Sequence, residues 1–180
     1  MEIFDRNKAD IIKNILSLET NKIKLICKLI KKTSFKNNIF CIGNGGSASI
    51  SNHFVCDLVK GSNYDKKYKM ISLSDNIEII TAISNDISYE EIFTFQLSKY
   101  ANKNDLLIAI SSSGKSKNIV KALQLANKMK LNTISLTGFN GGNAKKISNI
   151  NINVNSDNYG VIEDTHSFIM HSITQILHNE

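Results

Sequence analysis

The sequence predicts an α/β fold in which a parallel sheet is covered by helices on both faces, and three observations carry that expectation. Short apolar runs alternate with segments of helical periodicity along most of the chain. One apolar run, 38–42, passes straight into Gly43-Asn44-Gly45-Gly46-Ser47, and another, 105–110, ends in Ser111-Ser112-Ser113-Gly114-Lys115-Ser116. Each of these turns opens a helical pattern, as the carboxyl ends of strands do in doubly wound folds.

The elements follow in order. Over residues 3–33, Ile11, Ile12, Ile15, Leu18, Ile23, Leu25, Ile26, Leu29 and Ile30 recur at mostly helical intervals with Lys and Asn between them, which predicts one or two amphipathic helices ahead of the sheet. Then come a strand at 38–42, a helix at 47–60, a strand at 69–73, a helix near 76–84 and a helix at 89–100. A strand at 105–110, a helix at 116–129, a strand at 132–137, a short helix near 143–147, a strand at 151–154 and a final helix at 162–178 complete the order. The expected organisation is a single domain over 1–180, with 1–35 as an N-terminal helical segment and 36–180 as the α/β core, since no solenoid-length repeat or low-complexity linker marks a second unit. The wide apolar stripe of the N-terminal helices needs cover either from their own sheet or from another subunit.

At 180 residues and 42% hydrophobic composition, the chain is long enough to bury a core without disulfides. No charged-then-apolar leader opens it and no run of 18 apolar residues occurs, so the expectation is a cytoplasmic protein with no membrane partner. Cys27, Cys41 and Cys56 lack CxxC spacing and lie in apolar contexts, which predicts buried thiols rather than disulfides or a cysteine metal site. The net charge of +6 is spread over scattered lysines with no aromatic-interleaved basic motif, which argues against nucleic acid and for a general attraction to anionic ligands.

The glycine turn is suited to an anion. Glycines allow φ > 0 and close approach, and the helix that follows offers unpaired N–H groups and partial positive charge. Its spacing lacks the Lys-Ser/Thr ending of a Walker A loop and the downstream acid of a dinucleotide fingerprint. A glycine-rich turn alone can be only a tight connection, and the second turn shifts the balance toward an anion site. Ser111, Ser112, Ser113 and Ser116 supply hydroxyl donors for phosphate oxygens, with Lys115 either adding a cation or simply solvated.

Beyond the turns, His53 and Asp57 stand at i and i+4 on one helix face, and Glu163, Asp164, His166 and His171 cluster on the last helix. Helical register leaves both Glu163 and Asp164 open as the carboxylate that shares the face of His171. His166 and His178 read as packed or surface residues. The acidic neighbours of His53 and His171 fit an acid/base pair, a zinc site or a helix-surface ion pair.

Together these residues resemble the SIS (sugar isomerase) domain family, and within it the bacterial phosphoheptose isomerases. The resemblance runs through Gly43-Asn44-Gly45-Gly46-Ser47, His53-Phe54, Asp57-Leu58, Ser74-Asp75, Ser84-Asn85-Asp86, residues 110–116, Leu136-Thr137-Gly138 with Gly141-Gly142, and residues 162–171, so it covers nearly the whole chain. It implies a three-layer α/β/α sandwich around a five-stranded parallel sheet, with the N-terminal helices used in packing a homotetramer whose sites lie at subunit interfaces. It also implies interconversion of D-sedoheptulose 7-phosphate and D-glycero-D-manno-heptose 7-phosphate for lipopolysaccharide or capsule. Carried over by motif, Ser47, Ser111, Ser112, Ser113 and Ser116 would hold the phosphate, and Asn44, Gly45, Gly46, Asn85, Asp86 and Glu163 would contact the substrate. His53, Asp57, Glu163 and His171 fall where the family places its Zn(II) ligands, and Asp57 and His171 also match its catalytic pair.

Two positions depart from the family pattern: Asp57 replaces a usual Glu, and Glu163 replaces a usual Gln. The first shortens the base by one methylene, and the second adds a negative charge to the site. The departures point to a divergent subgroup with a different heptose or sugar phosphate. Two other functions fit the same resemblance, a non-catalytic binding protein of the DnaA initiator-associating type and an isomerase or lyase for another sugar phosphate.

Overall fold

The computed structural model describes residues 1–34, 36–61 and 68–179. Five parallel strands form one sheet in the order β2-β1-β3-β4-β5, with β1 at Ile39–Gly43, β2 at Met70–Ser72, β3 at Leu106–Ser111, β4 at Asn132–Thr137 and β5 at Ile150–Asn153. Strands β1 and β3 are apolar runs buried along their whole length, as central parallel strands must be when helices cover both faces. Alternation divides their side chains between two cores. Ile39, Cys41, Leu106, Ile108 and Ile110 face one layer, and Phe40, Ile42, Leu107 and Ala109 face the other.

The first layer holds helices α2 (Thr20–Ser34), α3 (Gly46–Gly61) and α8 (Tyr159–Asn179), which contribute Ile26, Ile30, Phe54, Leu58, Ile169 and Ile173. The second holds α4 (Ile77–Asp86), α5 (Ile92–Tyr100), α6 (Lys117–Lys128) and α7 (Gly142–Ile147), with Phe93, Leu97, Leu123 and Ala126 at its centre. Helix α1 (Glu2–Leu16) lies outside this sandwich against α8 and buries only Asn14 fully.

The structure differs from the sequence expectations mainly at element ends. The segment expected as one helix over 89–100 splits into a 3-10 turn at Tyr89–Glu91 and α5. Helix α8 starts at Tyr159, ahead of the expected 162, because the Asn158 side chain accepts hydrogen bonds from the N–H groups of Gly160 at 2.9 Å and Val161 at 3.4 Å. No disulfide links the three cysteines. Cys27 and Cys41 are buried as expected, whereas Cys56 is exposed on α3, one position before Asp57, where the helix turns its face away from the sheet. Burial pushes the Cys41 thiol up to about 12, so it remains protonated and packs as a small apolar side chain.

Candidate active site

Chain order makes β1 the centre of a reversal: β2 pairs on one side of it and β3 on the other, so the crevice beyond the carboxyl ends of β1 and β3 is a topological switch point. The β1–β3 register sets Gly43 opposite Ile110, so the glycine turn and the serine turn leave the sheet side by side. A reciprocal amide pair ties them: Asn44 Nδ2 donates to Asn118 Oδ1 at 2.9 Å, and Asn118 Nδ2 donates to Asn44 Oδ1 at 3.0 Å. Tyr89 adds a hydroxyl bond to Asn44 Oδ1 at 2.9 Å. The Ser74 hydroxyl closes the other side, accepting from Gly43 N–H and donating to the Gly43 carbonyl, both at 3.0 Å.

The glycine turn needs glycine for steric reasons. A Cβ on Gly43 would stand 2.3 Å from the Ser47 carbonyl oxygen, and Gly45 has φ of +52°. Ser47 is buried in the first turn of α3. In the serine turn, Ser111 and Ser112 are buried, and the Ser112 hydroxyl is a buried oxygen with no hydrogen-bond partner among the described residues. Ser113 Oγ accepts from the Lys115 N–H at 3.2 Å, and Ser116 stands at the N-cap of α6 without using its side chain as a cap. A buried hydroxyl left unpaired costs about 1–3 kcal/mol, so this oxygen is disposed to donate to an acceptor at the turn. Lys115 itself is exposed and borders an open cleft of about 790 Å³ beside Phe139 and Tyr159.

Helices α3 and α8 pack along each other and bring three predicted residues together. Asp57 lies between two imidazoles, with Oδ1 3.3 Å from His53 Nε2 and Oδ2 3.5 Å from His171 Nε2. The two rings meet edge to face at a centroid distance of 5.0 Å. One ligand-type atom from each of the three lies within 4.8 Å of the others. The cluster remains accessible: the side chains of His53, Asp57 and His171 are 54%, 28% and 44% exposed. Two imidazoles and a carboxylate, with an open side, suit Zn(II) in a three-ligand site, and the shorter Asp57 reaches both rings.

Glu163 stands apart from that cluster. It is half-buried while Asp164 is exposed, and its carboxylate lies against Gly46, where a Cβ would come within 2.3 Å of Glu163 Oε2. Glycine at 46 therefore makes room for a carboxylate over the N-terminus of α3, where the helix dipole favours negative charge. Asn85 and Asp86 lie exposed at the end of α4, bonded to each other through Asn85 Nδ2 and Asp86 Oδ1 at 2.8 Å. His166 is packed in the core: its Nε2 lies 3.1 Å from the Thr137 carbonyl, and burial pushes its pKa down to about 4.

Asn118 and Tyr89 were not singled out in the sequence. Asn118 carries a readable signal, because it stands four residues before buried Ala122, where the apolar stripe of α6 would place a hydrophobe. Tyr89 carries none, since its role depends on the 3-10 turn. That turn is fastened to α6 by Glu90, which pairs with Lys117 at 2.9 Å and Lys121 at 2.8 Å. Hydrogen bonds from Lys121, then Lys117, hold the Glu90 carboxyl down at about 2.

Comparison with known proteins identifies the family. The SIS domain family matches residues 4–138. A phosphoheptose isomerase from Helicobacter pylori strain P12 is 37% identical over 169 residues, covering 93% of this chain and 88% of the relative. A probable phosphoheptose isomerase from Thermoplasma acidophilum is 35% identical over 164 residues, covering 90% of each. Among solved structures, a phosphoheptose isomerase from Francisella tularensis superposes with a TM-score of 0.90 at 27% identity, covering 99% of this chain and 96% of its own. With the α/β sandwich, the adjoining glycine and serine turns and the His–Asp–His cluster in place, the chain belongs to the SIS domain family and, within it, to the phosphoheptose isomerases, which are aldose–ketose isomerases.

Proposed function

We propose that this protein interconverts D-sedoheptulose 7-phosphate and D-glycero-D-manno-heptose 7-phosphate, supplying heptose for lipopolysaccharide or capsule. The observation that carries the reading is the placement of Asp57 between His53 and His171, beyond two adjoining turns of which one presents the unpartnered Ser112 hydroxyl. Ser47, Ser111, Ser112, Ser113 and Ser116 seat the phosphate, which fixes the carbon chain in register with the cluster. Asn44, Gly45, Gly46, Asn85, Asp86 and Glu163 contact the sugar.

Aldose–ketose isomerisation moves a proton between adjacent carbons and another between their oxygens, through an enediol. Asp57 removes and returns the carbon-bound proton, and His171 serves the oxygens. His53 holds Asp57 from its other side, which leaves the second carboxylate oxygen free to face His171 and substrate. Zn(II) held by His53, Asp57 and His171 would polarise the carbonyl. Glu163 lies over Gly46 rather than with the other three, which favours its assignment to the substrate over that to the metal.

The exposed Met1, Ile3, Phe4, Ile12 and Leu16 of the N-terminal segment support assembly as a homotetramer with sites completed at subunit interfaces. Among the described residues no helix is long and apolar enough to cross a membrane, which fits action in the cytoplasm. Incubation of the purified protein with sedoheptulose 7-phosphate, with chelator and then with added Zn(II), tests the reading. Aldoheptose phosphate should form, and its formation should fall with chelator and return with metal. Absence of product under every condition would reject the isomerase reading.

A further inference from the structure

We propose that Asp10 of the N-terminal helix is a positioning residue for the phosphate turn, acting through Ser156 and Phe139; this rests on the reading of the serine turn as the phosphate seat. A continuous series of bonds joins the two. Ser156 Oγ donates to Asp10 Oδ2 at 2.6 Å, and the other carboxylate oxygen of Asp10 accepts from Asn14 Nδ2 at 3.0 Å. The Ser156 carbonyl accepts from the Phe139 N–H at 2.9 Å, and Ser156 is itself buried. Gly138 N–H, one residue back, donates to the Ser112 carbonyl at 2.7 Å, and Ala144 N–H donates to the Gly114 carbonyl at 3.0 Å.

Phe139 is the sensitive link. It adopts φ of +49°, a region in which a bulky side chain crowds its own backbone. Such a conformation persists only where its surroundings over-determine it. Here those surroundings are the Ser156 carbonyl on its N–H, the Asn153 amide on its carbonyl at 3.1 Å, and the Tyr159 ring, packed edge to face with centroids 5.0 Å apart. Ser156 is in turn oriented by a charged acceptor, the Asp10 carboxylate, while it accepts from the Asn158 N–H at 3.2 Å. Without Asp10, the hydroxyl of Ser156 loses its charged partner, and the Ser156 carbonyl that holds the Phe139 N–H is less firmly placed. A shift at Phe139 passes through Gly138 to the Ser112 carbonyl.

The backbone contact between the two turns leaves that displacement nowhere else to go. Gly114, Gly141 and Gly142 all take positive φ, and a Cβ on Gly114 would stand 2.0 Å from the Gly141 carbonyl oxygen. Glycine at these positions lets two loops touch backbone to backbone, so a shift in one is transmitted to the other.

The test uses the full chain with Asp10→Ala, Ser156→Ala, Asp10→Asn and the Asp10→Ala/Ser156→Ala pair. Inorganic phosphate binding is read by calorimetry, and KM and kcat are read with sedoheptulose 7-phosphate. Each single alanine variant should weaken phosphate binding and raise KM about tenfold, the effect of one charge-assisted hydrogen bond, with kcat within about twofold. Asp10→Asn, which keeps an acceptor oxygen, should recover most of the loss, and the pair should be no worse than either single variant. If Asp10→Ala fails to fold, Ser156→Ala decides alone. Unchanged phosphate affinity in Ser156→Ala, or a kcat that falls as far as KM rises, would overturn the proposal. Failure of the wild-type chain to bind phosphate would instead remove the phosphate reading, and this inference with it.

Discussion

At the scale of single residues, Asp57 carries the strongest prediction. Asp57→Asn keeps the side-chain volume but removes the base, so kcat should fall by about 10²–10⁴ while inorganic phosphate still binds. Turnover near wild type would dismiss Asp57 as the base. Glu163→Gln should lower KM, because it removes a negative charge from the glycine turn that a dianionic phosphate must approach. The same change should cost about 0.5 kcal/mol of stability, since the carboxylate no longer complements the α3 dipole. Paired kinetic and denaturation measurements separate the two effects. His166 supplies a pH signature. Its pKa lies at about 4 in the fold against an ordinary 6.5, so between those values the unfolded chain binds a proton that the folded chain does not. That contribution is fully present above 6.5 and is lost as pH falls toward 4, reaching at most ~3 kcal/mol. Urea midpoints measured down this window should decline, and decline less in His166→Gln. The choice between Glu163 and Asp164 is illegible in the sequence for a geometric reason: adjacent helical positions differ by about 100° in direction, and only the packing of α8 on α3 fixes which points inward.

At the scale of elements, what was legible is what periodicity encodes. Strands β1 and β3 announce themselves because burial on both faces demands unbroken apolar runs, and α6 because its buried stripe repeats cleanly. The split at Tyr89–Glu91 and the early start of α8 at Asn158 depend on single side-chain bonds, which leave no periodic trace. The turns between elements predict a contrast. Gly45 has φ of +52° with nothing within 4 Å of a Cβ, so Gly45→Ala should cost only the backbone preference, about 1 kcal/mol. Gly114 has φ of +62° and faces the Gly141 carbonyl at 2.0 Å from a Cβ, so Gly114→Ala should cost more than ~2 kcal/mol and weaken phosphate binding. Thermal unfolding of both variants checks the order, and equal losses would show that the two loops can part without penalty.

At the scale of the whole molecule, α1 is the element that the sandwich does not explain. It is held by polar bonds from Asp10 to Ser156 and from Asn7 to Asn158, while Phe4, Ile12 and Leu16 face outward at 62%, 52% and 81% exposure. If those side chains bury against another copy, sedimentation should give a mass well above 20.1 kDa, and Ile12→Asp with Leu16→Asp should shift it toward the monomer. A wild-type monomer would leave α1 unexplained. The order of the chain adds a consequence in time. His53 and Asp57 lie on α3, near the start of the sheet, and His171 lies on α8, which is synthesised after all five strands. Every sheet pairing joins segments separated by an intervening crossover, so assembly is slow and non-local, and the cluster closes only when α8 docks. A ligand that bridges the two helices therefore acts on a step after the rate-limiting barrier. Zn(II) in stopped-flow experiments should slow unfolding while leaving the refolding rate unchanged, making the His53–Asp57–His171 cluster a latch on the folded state.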